Sequence, residues 1–238
     1  MHAEHDAGES PRSEMLAGVR ASLAAGLGMY PLGVAFGLLV VQAGLPWWMA
    51  PALSLAAFAG SLELLLVGLI SAGTSLAAIA VTTLVVNFRH VFYAFSFPLH
   101  VVRHPVARAY SVYALIDEAY AMTAVRRHGW TSWRLLAMQV SFQAYWVGGG
   151  LTGVAVAAVL PGPIEGLEFA LCALFITLTL DAGRTRREVP SLVLAGLAFT
   201  AAVVVFPGSV LLAGLVLFVA ALVVRYLRAR RHGALPHA

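Results

Sequence analysis

The sequence contains no lysine and a single cysteine, and only 11% of its 238 residues are charged. A soluble fold of this length needs a polar shell around its core, and soluble domains carry about 25% charged residues. An ordinary globular protein is therefore excluded, and the surface must face lipid. The lone Cys172, within an apolar run, excludes a disulfide framework and a cysteine-based metal site, so it reads as a small core residue. All 15 basic residues are Arg, in a few clusters between apolar runs, a pattern of topology signals that leaves nucleic acid without a case as a partner.

Hydrophobic residues make up 61% of the chain, in runs near the ~20 residues that cross a bilayer. The pattern predicts an all-α polytopic transmembrane bundle with spans at about 17–42, 48–70, 74–101, 107–125, 135–160, 166–183, 189–206 and 208–227. That makes eight crossings, or seven if 107–125, the most polar, is re-entrant. Residues 1–14 read as a disordered cytoplasmic tail without a cleavable signal, 15–228 as one transmembrane domain and 229–238 as a short basic cytoplasmic tail. Arg12, Arg20, Arg126, Arg127, Arg134, Arg184, Arg186, Arg187, Arg225, Arg228, Arg230 and Arg231 sort to one side, with only Arg103 and Arg108 opposite. Both termini are thus expected in the cytoplasm of a cell with its chain in the inner (plasma) membrane. Trp47 and Trp48 suit the opposite interface.

Two spans are too long to cross straight, at roughly 39 and 42 Å by the helical rise. In the first, Gly26, Gly28, Pro31, Gly33 and Gly37 favour a discontinuous helix, although glycine also lets helices pack closely. Gly148, Gly149, Gly150 and Gly153 form a similar weak point in 135–160.

Ionisable groups at membrane depth cost at least about 2.5 kcal/mol each, which makes them the informative residues. Glu63, about two-thirds along the second span, is a candidate proton-binding carboxyl or a protonated or Arg-paired carboxyl that holds helices together. Asn87, Arg89 and His90 lie midway through the third long span. Because Arg cannot shed its proton, the helix is expected to break there and present Arg89 to an aqueous cavity, or else Arg89 pairs with Glu63 or Asp117. Asp117 and Glu118 are adjacent and so point about 100° apart on a helix; one faces the interior at most. Gln139, Gln143 and Tyr145 either line a pathway or bond neighbouring helices, and Glu165 and Glu168 suit a helix start. No H-E-x-x-H, G-x-S-x-G or P-loop pattern is present, so neither catalysis nor a cofactor, metal or ATP-driven pump is indicated.

The ordered stretches PLGVAFG (31–37), FAGSLELLLVGLISAGTS (58–75), NFRHVFYAFSFP (87–98), IDEAYAM (116–122), WVGGGLTG (146–153) and GLEFALCALFI (166–176) resemble the AzlC family, large subunits of branched-chain amino-acid exporters. The N-x-R-H stretch and the Asp-Glu pair are the most specific pieces. The resemblance implies a secondary transporter that expels valine, leucine, isoleucine or methionine together with a small AzlD-like membrane subunit. The family often carries Gln where this chain has Glu63.

Together these readings give an alternating-access exporter. Gly33, Phe36, Gly37, Glu63, Asn87 and Arg89 are the expected substrate-binding residues; Glu63, His90, Asp117 and Glu118 are the expected proton or ion sites. Backbone amides freed near 26–37 would meet the substrate carboxylate. The rivals are a channel or uniporter for a small solute and a non-transporting assembly subunit.

Overall fold

The computed structural model describes residues 10–126, 128–160, 162, 164–166, 169, 176 and 189–231, and among these every regular element is helical. The elements are α1 (Pro11–Gln42), α2 (Met49–Ala56), α3 (Gly60–Ser71), α4 (Leu76–Asn87), α5 (His90–Tyr93), a 3-10 turn (Leu99–Val101), α6 (Pro105–Tyr113), α7 (Asp117–Val125), α8 (Ser132–Val159), α9 (Val189–Val205) and α10 (Val210–Arg231). Four segments among the described residues are long and apolar enough to cross a membrane: Pro11–Gln42, Leu76–Tyr93 taken with its interruption, Ser132–Val159 and Val210–Arg230. The expected count of about eight is therefore not established by helix length. The expected span 166–183, with Cys172 and Glu168, lies almost wholly outside the described residues, as do Arg127 and residues 1–9.

The described chain forms two compact units, one from residues 1–75 and 86–163, the other from 76–85 and 164–238. In the second, α9 and α10 form an antiparallel hairpin through the Phe206–Ser209 turn. Arg225 Nη1 donates to Ser191 Oγ at 2.8 Å, and Gly214 leaves room for the Phe199 ring.

The first unit is organised by α1 and α8. α1 starts where Ser10 accepts the Ser13 N–H at 3.3 Å and Pro11 supplies a preset first-turn dihedral, so residues 11–14, expected in a disordered tail, form its first turn. Its far end closes on Gly44, at φ +74°, with the Leu45 N–H reaching back to Val40 O at 3.1 Å. Thr131 caps α8 in the same way, accepting the Arg134 N–H at 3.2 Å.

The expected break at 26–37 is not there: α1 runs uninterrupted from Pro11 to Gln42, with Pro31 on its exposed side. α8 is likewise unbroken across Gly148–Gly153. Their glycines instead form a seam. Glu14, Gly18, Ser22, Gly26, Met29, Gly33, Gly37 and Val40, three, four or seven apart, are the buried face of α1. A Cβ at Gly33 would lie 2.7 Å from Trp146 O, one at Gly37 2.9 Å from Gly150 C, and one at Gly153 2.9 Å from Leu38 N. Apolar lipid tails give two apolar helices no hydrophobic reason to associate, so close backbone approach through small residues supplies the attraction. The helices run parallel, because Glu14 meets Arg134 at their starts and Gly37 meets Gly150 farther along. At the start of the seam Arg134 Nη2 binds Glu14 Oε1 at 3.0 Å and Thr131 Oγ1 donates to Glu14 Oε2.

Gly37→Ala pushes against backbone that cannot rotate aside, whereas Gly28 has nothing within 4 Å of a built Cβ. Gly37→Ala is expected to cost about 1–3 kcal/mol by overpacking. Gly28→Ala should be neutral or stabilise by up to about 1 kcal/mol, through helix propensity alone. Melting temperatures of the two purified variants in detergent check the opposite signs; equal shifts would remove the seam as an explanation.

Candidate functional site

The expected second span is two half-helices, α2 and α3, separated by Ala57, Phe58 and Ala59. The expected span 107–125 is likewise split into α6 and α7 by Ala114, Leu115 and Ile116. The third long segment breaks where the sequence indicated: α4 ends at Asn87, and the Val91 and Phe92 N–H groups bond three residues back, to Phe88 O at 3.1 Å and Arg89 O at 3.0 Å. α5 then ends at Tyr93, well short of the expected end at 101.

A broken helix at membrane depth survives only if protein satisfies the freed backbone groups. At the end of α2, Tyr113 Oη donates to Leu55 O at 2.7 Å. At the end of α6, Gln139 Nε2 donates to Ser111 O at 2.8 Å and Ala114 O at 3.0 Å, while its Oε1 accepts from Ser111 Oγ at 2.8 Å. Gln139 is thus a tie between helices, one of the two roles open to it in the sequence. Gln143 joins the same group through Tyr110 and Tyr113.

The split moves Glu63 from the interior of a span to the first turn of α3, a favourable end for a carboxyl. Its side chain is fully buried. Glu63 Oε1 accepts the Ala59 N–H at 3.0 Å; Oε2 accepts Ser54 Oγ–H at 2.6 Å and the Trp146 indole N–H at 2.8 Å. One carboxyl therefore ties the end of α2, the break and α8 together. Gly60 makes room for the indole, since a Cβ there would lie 2.9 Å from Trp146. Phe36, also fully buried, stacks on Trp146 with centroids 5.8 Å apart. The break carries strain as well: Phe58 has φ +40°, which is costly for a residue with a Cβ, and is buried with its ring 5.9 Å from that of Tyr113.

Arg89, in the turn between α4 and α5, joins the other two breaks. Its Nη2 lies 2.8 Å from Asp117 Oδ2, at the start of α7, and donates to Ser61 Oγ, in the first turn of α3, at 3.1 Å. Of the two partners left open for Arg89, the structure thus selects Asp117. Tyr93 Oη donates to Asp117 Oδ1 at 2.9 Å and stacks on Tyr120 with centroids 4.1 Å apart. Ser96 Oγ reaches Tyr120 Oη at 3.2 Å. The pair is not sealed off, since the side chains of Arg89 and Asp117 are 40% and 46% exposed. Two polar atoms nearby, Arg89 Nε and Asn87 Oδ1, are buried without a hydrogen-bond partner among the described residues. Three broken helices thus converge on a guanidinium, a carboxylate and two α-helix N-termini, a set able to hold groups of both charges.

Asn87, Arg89, His90 and Asp117 are brought together; the ring of His90 hydrogen-bonds Asn87 O at 2.9 Å and meets Tyr93 edge-on. Glu118, next to Asp117, is half-buried. Gly33, Phe36 and Gly37 instead lie along the α1–α8 seam, and with α1 continuous the amides near 26–37 are taken up in its own ladder. Tyr93, Tyr120, Ser61, Ser54, Tyr113 and Trp146 are not among the site residues expected from the sequence. Their only signal is a hydroxyl or indole N–H in an apolar run, each requiring a partner there. Among the described residues no group of three or more His, Cys, Asp or Glu is placed to hold a metal.

The profile of the family described as AzlC protein matches residues 24–160, from within α1 to the end of α8, and so covers Glu63, Arg89 and Asp117. An uncharacterized membrane protein of Helicobacter pylori (strain ATCC 700392 / 26695) is 29% identical over 158 residues, 65% of this chain and 69% of that protein. One from Haemophilus influenzae is 27% identical over 154 residues, 62% of each chain. The branched-chain amino acid transport protein AzlC of Bacillus subtilis is 26% identical over 153 residues, 63% of this chain and 60% of that protein. No solved structure shows a significant match. With more than half its length matched by that profile, and with apolar helices and relatives that are membrane proteins, this chain is a membrane protein of the AzlC family.

Proposed function

We propose that the chain is a secondary transporter that exports branched-chain or other small hydrophobic amino acids by alternating access. The observation that carries this reading is the half-exposed Arg89–Asp117 pair where three broken helices meet. An amino acid at neutral pH is a zwitterion, the same two charges in reverse order. Its carboxylate replaces Asp117 on the Arg89 guanidinium, and its ammonium takes Asp117 and Asn87 Oδ1. The substrate thereby exchanges one ion pair for two without leaving a charge unpaired, as burial at membrane depth demands. No amino-acid side chain needs a charged partner here, in keeping with the name of the Bacillus relative. Glu63, His90 and Glu118 remain the candidates for a coupled proton.

In this reading the chain lies in the inner membrane with both termini cytoplasmic and works with a small AzlD-like subunit. The parallel course of α1 and α8 bears on one part of this topology, the status of 107–125, because parallel spans need an odd number of crossings between them. The segments α2–α3, α4–α5 and α6–α7 supply three, which counts 107–125 as a crossing.

Efflux of a panel of labelled amino acids from cells expressing the chain, with and without the small subunit, tests the proposal. Export of leucine, isoleucine, valine or methionine above vector background is the expected result. In liposomes, preloaded unlabelled substrate is expected to accelerate uptake of label, which a simple pore does not do. Binding and counterflow both absent, with or without the subunit, would leave the assembly-subunit reading in its place.

A further inference from the structure

A second charged site lies where α1 and α8 begin. An open cavity of about 750 Å³ is lined by Ser13, Leu16, Ala17, Arg20, Arg126 and Arg134, among others. Arg134 is buried and bound to Glu14, so its charge is already answered. Arg20 on α1 and Arg126 at the end of α7 are exposed, and neither has an ion-pair partner among the described residues. Glu14 therefore leaves the cavity with the charge of two guanidiniums. Ser13 adds a hydroxyl.

The surface of α1 beside the cavity is apolar. Leu16, Leu23 and Leu27 are all exposed and, with Arg20, occupy positions i, i+4, i+7 and i+11 on one helix face. Arg20, with the exposed Leu23 and Leu27 running from it into the apolar part of the helix, matches an amphiphile with a charged head above and an aliphatic tail below. Planar guanidiniums bind phosphate oxygens in a bidentate manner, which suits a phosphodiester better than a lysine pair does. Basic cavities between helices at a membrane surface are where anionic headgroups are held.

We propose that this cavity binds the phosphate of an anionic phospholipid, with Arg20 and Arg126 on the headgroup and the acyl chain along Leu23 and Leu27. The bound lipid bridges the start of α1 to the end of α7, the half-helix whose first residue is Asp117. The proposal does not depend on what the chain transports.

The test uses the purified full-length chain in detergent, with dioctanoyl phosphatidylglycerol, dioctanoyl phosphatidylcholine and inorganic phosphate as separate probes, read by native mass spectrometry and thermal melting. Wild type is expected to retain the phosphatidylglycerol and melt higher with it, but not with phosphatidylcholine. The double variant Arg20→Gln/Arg126→Gln is expected to bind it about 30-fold more weakly, from two lost surface charges. Arg228→Gln/Arg230→Gln removes the same net charge from α10 and should leave binding unchanged. Equal retention of the two lipids by wild type overturns the proposal without any variant having to fold. So does an equal loss in the α10 variant, which would mean net charge alone. Protection by inorganic phosphate equal to that by lipid would make this a free-phosphate site and overturn the assignment to lipid.

Discussion

Arg89→Ala is expected to lower amino-acid export by about 10- to 150-fold at unchanged membrane abundance, the equivalent of one charged hydrogen bond at about 1.5–3 kcal/mol. The physical reason is that Arg89 is the cation of a reachable ion pair, with Asp117 at 2.8 Å and Ser61 at 3.1 Å holding it between two half-helix starts. Arg89→Lys keeps the charge but loses the planar fork, so partial export is expected from it. A purely structural pair makes a different prediction. If Arg89 and Asp117 only tie α5 to α7, removing both charges in Arg89→Ala/Asp117→Ala should restore what the single change lost, because no charge is stranded. If they recognise a zwitterion, the double variant stays inactive while reaching the membrane. Transport by substrate analogues adds a readout independent of folding: leucine amide lacks the carboxylate and 4-methylpentanoate the ammonium, and both should fail to compete with leucine in wild type. Undiminished export by Arg89→Ala would sink the assignment.

Glu63→Ala is the change expected to damage the fold most. It strands the Ala59 N–H and the Trp146 indole N–H, both buried, and leaves Ser54 to find another acceptor. At about 1–3 kcal/mol for each buried donor left unpaired, the two N–H groups alone put the loss at about 2–6 kcal/mol. That is comparable with the whole stability of many domains, so little folded protein is expected at 37 °C. Glu63→Gln keeps one carbonyl oxygen as an acceptor but turns an amide N–H₂ toward a donor, and an intermediate loss of melting temperature follows. This milder variant separates the two roles of the residue. If Glu63 binds a transported proton, Glu63→Gln folds but its export loses its dependence on external pH. Export with an unchanged pH profile would leave Glu63 as a structural tie between α2, α3 and α8.

How far the site was legible depends on the kind of residue. Arg89 was legible because a permanent cation in an apolar run has few tolerable explanations, and the helix does break beside it. Gln139 was legible only as a hydrogen-bonding group, since an amide carries no charge to say whether water or backbone is its partner. The breaks at Ala57–Ala59 and Ala114–Ile116 were not legible at all: their residues are good helix formers or apolar, and no proline or glycine run marks them. What holds them open is in large part remote in sequence, Tyr113 beside the nearby Glu63 for the first and Gln139 for the second. The glycines misled in the opposite sense. Gly26, Gly33 and Gly37 weaken an isolated helix, yet their spacing of seven and four places them on one face, the mark of a contact rather than of a hinge.

The sequence by itself determined the solvent and the helical class: too few charges to meet water, and apolar runs near the ~20 residues of a spanning helix, longer than a barrel strand, whose backbone groups helix satisfies within the run. It also singled out the ionisable residues whose position a membrane does not tolerate without a reason. Only the tertiary structure decided where helices stop and which partner answers each buried charge. A helix end, a close glycine contact and an ion pair are each completed by atoms from another part of the chain, and local composition carries no record of which part that is. Glu63 found an indole 83 residues away rather than an arginine, and Arg89 chose Asp117.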